Sequence, residues 1–144
     1  MDLIFLWEEG RKMSPQYVNM VDAVKLFFSN YVNFKGRSTR SEYWWVILAS
    51  FIFGFVLGFI GGIMTAAKGG EPSSLFTIIL ALVELALLVP SLSLCIRRLH
   101  DVGKSGWLLL LALVPIANLY LLYLYCQPSD GPNQWGDSAD SKSY

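Results

Sequence analysis

Residues 43–65 read YWWVILASFIFGFVLGFIGGIMT, a run of 23 residues that contains no charged side chain. Two further apolar runs follow at 75–96 and 107–126, with 22 and 20 residues. At a rise of about 1.5 Å per residue, a helix of this length matches the thickness of the bilayer hydrocarbon. Because backbone polar groups in lipid must be satisfied within their own segment, the three runs predict three transmembrane helices.

The composition of the whole chain agrees with a membrane protein. Of its 144 residues 54% are hydrophobic and only 15% are charged, against about 25% charged residues in an ordinary soluble domain. Eleven basic residues balance eleven acidic ones, and the absence of a sustained basic patch excludes nucleic acid as the main partner. We predict an all-α membrane protein with an N-terminal extension at 1–15, a single helical membrane domain at 16–126 and a polar tail at 127–144.

A less apolar segment at 16–33 precedes the first run. Its large apolar residues recur at helical spacing, while polar residues occupy the other faces, so the pattern predicts an amphipathic helix. The segment is too polar to span a bilayer, and we expect it to lie in the membrane interface. The alternative is a helix packed on the outside of the bundle. The apolar positions are Tyr17, Met20, Val21, Val24, Phe27, Phe28 and Tyr31.

Basic residues near the ends of the runs predict the orientation in the membrane. Lys25, Lys35, Arg37 and Arg40 precede the first run, and Arg97, Arg98 and Lys104 follow the second. The first connection and the tail hold one lysine each. The rule therefore predicts a cytoplasmic N-terminus and a C-terminus outside. This prediction requires three complete crossings, and a break at Pro90 or Pro115 would move the tail to the other side.

Two features inside the runs are candidates for function. Glu84 is an ionisable residue at the centre of the second run, where such a residue is expected to face protein or water. Desolvation favours its neutral form, which could bond to Asn118 across the bundle or serve a proton or cation pathway. Gly54, Gly58 and Gly62 recur every four residues, which allows close approach of another helix. That helix would belong either to a second copy or to the same chain.

Two polar clusters flank the first and second runs and would lie on one side of the membrane. We expect Glu42 to reach Arg97 or Arg98, or Asp101 to reach Arg37 or Arg40, because buried arginines require carboxylate or carbonyl partners. The remaining positive charge would attract anionic lipid headgroups. In the alternative, the charges only orient the protein and stay solvated. The clusters comprise Arg37, Arg40 and Glu42 in the first and Arg97, Arg98, His100 and Asp101 in the second.

These clusters also carry a family resemblance. The stretch Phe34-x-Gly36-Arg37-x-x-Arg40-x-Glu42-Tyr43-Trp44 resembles the opening signature of the DUF805 family of small bacterial inner-membrane proteins. Arg97-Arg98-Leu99-His100-Asp101 followed by Ser105-Gly106-Trp107 is similar to its central signature, and Gly131-Pro132-Asn133-Gln134-Trp135-Gly136 resembles its closing motif, with Trp135 in place of the usual Phe or Tyr. The resemblance implies location in the inner membrane and a helical architecture, but no reaction.

The residues favour a non-enzymatic scaffold or interaction module that binds membrane lipid or another membrane protein, with homo-oligomers included. One alternative is a small oligomeric transporter or channel that uses Glu84. A second is a lipid-modifying enzyme that uses His100 and Asp101, although no nucleophile accompanies this pair. A single histidine without a second ligand argues against a metal site, and we expect no cofactor.

Overall fold

The computed structural model describes residues 18–136, so the predicted extension at 1–15 and the end of the tail lie outside the described residues. Within this range all regular elements are helices, as predicted, and no strand is present. The elements are α1 (Met20–Ser29), α2 (Arg40–Ala67), α3 (Ser74–Asp101), a 3₁₀ helix (Gly106–Leu113) and α4 (Pro115–Cys126).

Helices α2 and α3 contain the first two apolar runs. Each has 28 residues, which corresponds to a length of about 42 Å. Both are long and apolar enough to cross a membrane. Thr39 caps the start of α2 by accepting a hydrogen bond from the Glu42 amide at 3.1 Å. Gly69 and Gly70 have positive φ angles in the turn that leads back to α3.

The contact between α2 and α3 uses a different glycine from those predicted. A Cβ atom at Gly61 would lie 2.6 Å from the Phe76 ring, so any larger residue would require the ring to move. Gly54, Gly58 and Gly62 have no such neighbour within 4 Å. The alternative in which the predicted glycine stripe packs within the chain is therefore wrong. Contact with a second copy stays a prediction.

The third apolar run does not form the continuous helix that its length predicted. It is divided at Val114, which has the extended angles φ −109° and ψ 115°, and α4 begins at Pro115. Proline lacks the N–H that would continue a helix and disfavours helical angles in the residue before it. The 3₁₀ helix and α4 pack against each other, so Gly106–Cys126 forms a helical hairpin.

Both ends of this hairpin lie at the same end of the α2–α3 pair. Before it, the Lys104 amide donates to the Leu99 carbonyl at 2.9 Å. After it, the Arg98 guanidinium donates to the Tyr125 carbonyl at 3.1 Å. The prediction of a third crossing at 107–126 is therefore replaced by the Pro115 break, the alternative that the sequence left open.

The described part of the tail also lies at this end. Arg37 Nη1 donates to the carbonyls of Gly131 at 2.9 Å and Gly136 at 3.0 Å. The Asp130 amide donates to the Asp101 carbonyl at 2.7 Å. The predicted location of the tail opposite the segment before α2 is thus wrong for residues 127–136, because the hairpin reverses the chain.

Helix α1 is shorter than the predicted 16–33 segment and packs along the first turns of α2. Asn19 caps it by accepting from the Asp22 amide at 2.9 Å. Ala23 and Phe27 are buried, while Lys25 points outward with 74% of its side chain exposed. The helix therefore has one face on the protein and an exposed surface that carries Lys25 together with part of its apolar residues.

The other proline tested by the structure, Pro90, does not interrupt α3. Its missing N–H leaves the Ala86 carbonyl without its usual helical donor. The Tyr31 hydroxyl donates to this carbonyl from the segment after α1. The bond also attaches that segment to α3. Ser93 adds to the attachment, because its hydroxyl lies 2.8 Å from the Asn30 carbonyl and 2.6 Å from the Asn33 carbonyl and shares its one hydrogen between them.

Candidate functional site

Three segments meet at one end of the helix pair and enclose a group of polar side chains, here called the polar cluster. The segments are residues 36–42, the last turn of α3 and the tail at 127–136. Every member of the cluster is at most 6% exposed, and the only predicted site residue of this region left outside is Arg40, which is exposed. The members are Arg37, Glu42, Arg97, Arg98, His100 and Asp101.

Asp101 is the central acceptor of the polar cluster. Its Oδ1 accepts from Arg37 Nε at 3.2 Å. Its Oδ2 accepts from Arg98 Nη1 at 2.6 Å and from Ser129 Oγ at 2.5 Å. Asp101 lies beyond the apolar run that ends at residue 96. Burial raises the pKa of its carboxyl group, and the contacts with Ser129, Arg98 and Arg37 oppose that shift. One side chain thus joins all three segments.

Arg37 uses its whole guanidinium group. Nε donates to Asp101 Oδ1 and Nη1 to two tail carbonyls, while Nη2 donates to the Asp101 carbonyl at 3.0 Å and the Asp130 carbonyl at 2.6 Å. A rigid planar fork can hold five such acceptors, whereas the single ammonium of lysine cannot. Arg37 therefore positions the tail against α3.

A second ion pair joins α2 to α3. Arg97 Nη1 lies 2.9 Å from Glu42 Oε1, with both side chains at most 2% exposed. Together with the Arg37–Asp101 pair at 3.1 Å, both expected pairings between the two clusters are present. Arg97 Nε and Nη2, and Ser38 Oγ, are buried without a hydrogen-bond partner among the described residues. Arg97 therefore uses only one nitrogen of its fork.

Arg98 and Arg40 bind the C-terminal end of α4. Arg98 Nε and Nη2 donate to the Tyr125 carbonyl at 3.3 and 3.1 Å, and Nη2 also donates to the Gln127 carbonyl. Arg40 Nη1 donates to the Cys126 carbonyl at 3.2 Å. The last carbonyls of a helix lack partners within the helix and carry partial negative charge. The two arginines satisfy them and hold the hairpin closed.

His100 connects the cluster to the tail. Its Nδ1 lies 3.1 Å from the Gly36 carbonyl, and its ring stacks on Trp135 with centroids 4.5 Å apart and planes 7° from parallel. Burial lowers the pKa of His100, while the bond to Gly36 opposes that shift. Asn133 Nδ2 donates to the His100 carbonyl at 3.0 Å. Within the described residues no group of three metal-ligating side chains is present.

The tail residues of this site were not among the predicted site residues. The signal that could have found them was the closing motif at 131–136, which includes the stacked tryptophan and the bonded asparagine. A glycine- and proline-rich polar segment is typical of a solvated loop. The prediction of a solvated loop did not connect the tail with the buried arginines. Buried guanidinium groups need acceptors, and the carbonyl groups of a loop backbone can supply them.

Glu84 and its predicted partner lie elsewhere. Both Glu84 and Asn118 are exposed on the chain, and no hydrogen bond or ion pair joins Glu84 to another residue in 18–136. The expected bond between them is therefore absent. Glu84 faces away from the other residues of the described range.

An apolar groove lies beside the polar cluster, between α1, α2 and α3. Its volume is about 480 Å³. All of its lining residues except Ser50 are hydrophobic. The lining consists of Val24, Phe27 and Phe28 from α1, Val46, Ala49, Ser50 and Phe53 from α2, and Val83 and Leu87 from α3.

Comparison with known proteins places the chain in a family. Two Escherichia coli relatives are 40% identical: inner membrane protein YhaH over 109 residues, 74% of this chain and 87% of YhaH, and inner membrane protein YhaI over 110 residues, 75% of this chain and 86% of YhaI. No solved structure matches the chain. The model of the family described as "Protein of unknown function (DUF805)" matches residues 31–137, a range that contains the entire polar cluster. The chain is thus a membrane protein that belongs to the DUF805 family.

Proposed function

We propose that this protein is a non-enzymatic scaffold of the bacterial inner membrane that binds phospholipid in the groove between α1, α2 and α3. The groove carries the proposal because eight of its nine lining residues are hydrophobic and its α2 and α3 walls belong to the apolar runs. A cavity of this kind in a bilayer is adjacent to acyl chains of matching chemistry. The occupant we assign is one acyl chain of a phospholipid.

The headgroup of that lipid would lie near exposed basic residues. Lys25 is on the outer face of α1, the helix that forms one wall of the groove. Lys35 is exposed in the segment between α1 and α2, and Arg40 is exposed as the first residue of α2. Each basic residue near an anionic leaflet contributes about 1 kcal/mol of attraction. The proposal therefore favours anionic phospholipids over zwitterionic ones.

The polar cluster supports a scaffold rather than an enzyme. Asp101 accepts three side-chain hydrogen bonds, Glu42 is held by Arg97, and His100 is bonded to Gly36 and stacked on Trp135. A general base needs a free lone pair within reach of a substrate. Both carboxylate oxygens of Asp101 accept hydrogen bonds from neighbouring side chains, and all three groups are buried. This favours the scaffold over the alternative enzyme that uses His100 and Asp101.

For the orientation, we place the polar cluster on the cytoplasmic side. Lys68 alone among the basic residues in 18–136 lies at the opposite end of the helix pair, which favours this orientation under the positive-inside rule. Helices α2 and α3 then cross the membrane, α1 lies in the interface, and the hairpin enters one leaflet. The hairpin tip suits lipid, because Leu113 is 81% and Ile116 is 83% exposed. A reporter fused after Tyr144 should be active in the cytoplasm. Periplasmic activity would contradict this topology.

Lipid binding is tested by filling the groove. Ala49 lines it, so Ala49→Phe should occupy the space of the acyl chain. Native mass spectrometry from mild detergent should show phospholipid bound to the natural chain and about tenfold less bound to the variant, a ratio that corresponds to about 1.4 kcal/mol. Ala112→Phe, on the exposed surface of the hairpin, is the matched control and should retain lipid.

The lipid class is tested with vesicles. Protein reconstituted into phosphatidylglycerol vesicles should retain more lipid on extraction than protein from phosphatidylcholine vesicles. Equal retention by Ala49→Phe and the natural chain, at unchanged thermal stability, would show that the groove does not bind lipid.

A further inference from the structure

Glu84 has no covering neighbour among the described residues of a single chain. It is the eleventh of the 28 residues of α3, near the centre of the apolar run at 75–96. Its side chain is exposed and has no partner within the described residues. In hydrocarbon, an ionisable side chain almost always faces other protein or a water-filled cavity. Something outside the described residues therefore covers this face of α3.

Glu84 belongs to a stripe of polar residues at regular spacing, here called the α3 stripe. Thr77, Glu84 and Ser91 are separated by seven residues each, which is two helical turns, and all three are exposed. The Thr77 hydroxyl donates to the Ser73 carbonyl at 3.1 Å and the Ser91 hydroxyl to the Leu87 carbonyl at 2.7 Å. Their oxygen lone pairs stay available as acceptors on the exposed face.

The two long helices leave ample surface for a partner. Only 6% of the most apolar window of either helix is buried within the chain. None of the three stripe residues lines the lipid groove, although Leu87 of the groove lies one helical turn from both Glu84 and Ser91. A seven-residue repeat is the spacing at which two helices maintain contact over many turns.

We propose that a second copy of this chain covers the α3 stripe, in a two-fold symmetric dimer with α3 packed against α3. The chemistry of Glu84 favours a second copy over a different protein. A carboxyl group can carry one donor and at least one acceptor, so two copies of the same group are complementary. A two-fold axis along the membrane normal brings each residue of α3 to the same residue of the other copy. The two Glu84 carboxyl groups then bond to each other.

Disulfide cross-linking tests the contact directly. In a chain with Cys95→Ser and Cys126→Ser, cysteine is introduced at Thr77 or Ser91. Leu75→Cys and Leu82→Cys are the matched controls, because these residues are 69% and 61% exposed but lie about 200° around the helix from Thr77 and Glu84. After oxidation in membranes, Thr77→Cys and Ser91→Cys should form about tenfold more disulfide dimer than the controls, since the bond requires Cα atoms within roughly 7 Å.

The role of the carboxyl group is tested by two substitutions. Glu84→Gln retains a donor and an acceptor, so the dimer should persist. Glu84→Leu removes both and should raise the dimer dissociation constant in liposomes about tenfold, in line with the strength of hydrogen bonds between membrane helices. Because Glu84 has no partner within the described chain, the thermal stability of the monomer should not change.

Three outcomes would overturn the proposal. They are equal cross-linking at the stripe and control positions, a monomer at every protein-to-lipid ratio, and cross-linking of the stripe only to a different protein. Lipid retention in the groove is measured independently, so failure of the dimer would leave the proposed function standing.

Discussion

The polar end of the α2–α3 pair and the apolar part of the same two helices differ in how far their side chains are buried. The difference is opposite to that in a soluble protein. At one end, six ionisable side chains are at most 6% exposed. Over the most apolar part of each long helix only 6% of residues are buried. Lipid solvates apolar side chains as well as a protein interior does, so burying them gains little. The specific contacts of this chain are therefore concentrated where the side chains are polar.

This difference explains how short segments without regular structure acquire defined positions. Residues 36–39 and the tail at 127–136 contain few large apolar groups, yet Arg37 and Asp101 bond to both the tail and each other. Buried ion pairs are costly to desolvate and weak evidence for overall stability. Their geometric demands do, however, select one arrangement of the segments that they join.

The largest effect should come from removing the shared acceptor. Asp101→Ala leaves two buried guanidinium groups without their carboxylate and should reduce the free energy of unfolding by about 4 kcal/mol. Denaturant titration in detergent measures it. Asp22→Ala removes an acid that is 53% exposed and is the control, with an expected change below about 0.5 kcal/mol. Similar values for both variants would contradict the central role of Asp101.

A second comparison uses one residue type on one helix. Leu99 is fully buried at the polar end of α3, whereas Leu82 is 61% exposed in the apolar part. Leu99→Ala should lower the free energy of unfolding by about 3 kcal/mol, because it leaves a cavity. Leu82→Ala exchanges only contacts with lipid or detergent and should change it by less than about 0.5 kcal/mol. An equal loss would show that both parts of the helix contribute alike.

A third comparison separates charge from fork geometry within the cluster. Arg37→Lys keeps the charge but loses most of five hydrogen bonds, and should lower the free energy of unfolding by about 2 kcal/mol. Arg97→Lys retains its bond to Glu42 and removes nitrogens that have no described partner. Its expected loss is below about 1 kcal/mol. The two midpoints of thermal unfolding measure the difference. A midpoint for Arg37→Lys that is not the lower of the two would show that the fork geometry of Arg37 contributes little.

The smallest effect concerns attachment of the tail. Trp135→Ala removes the stacking on His100 and should weaken docking of the tail by about 1 kcal/mol. Limited proteolysis should then cut within 127–136 several times faster. Trp107→Ala, at a residue that is 80% exposed, is the control. Unchanged protection of the tail would mean that Arg37 and Asp101 hold it without the stacked rings.

The sequence by itself determined the helical class, the two long apolar helices and the meeting of the clusters. The length of an apolar run and the need to satisfy its backbone are local properties, so they can be read without knowing the fold. Pairing of Glu42 with Arg97 or Arg98, or of Asp101 with Arg37 or Arg40, could also be predicted. Two arginine clusters at helix ends on one side have few acidic partners to choose from.

The tertiary structure decided the course of the third apolar run. Pro115 can kink a helix or end it, and both outcomes are locally acceptable. Groups distant in the sequence select termination over a kink. Arg98 and Arg40 can bind the carbonyls at 125–127 only if the chain turns back. The side on which the tail lies follows from that turn.

Tertiary structure likewise decided which polar groups are occupied and which stay exposed. The Tyr31 hydroxyl donates to the carbonyl freed by Pro90, which is 55 residues away in the sequence. The Ser129 hydroxyl donates to Asp101, which is 28 residues away. Sequence spacing carries no information about such pairs, because loop closure brings together segments of any separation at slowly growing cost. Glu84 is the converse case. Its position near the centre of an apolar run was evident from the sequence, but only the arrangement of the helices shows that residues 18–136 do not cover it.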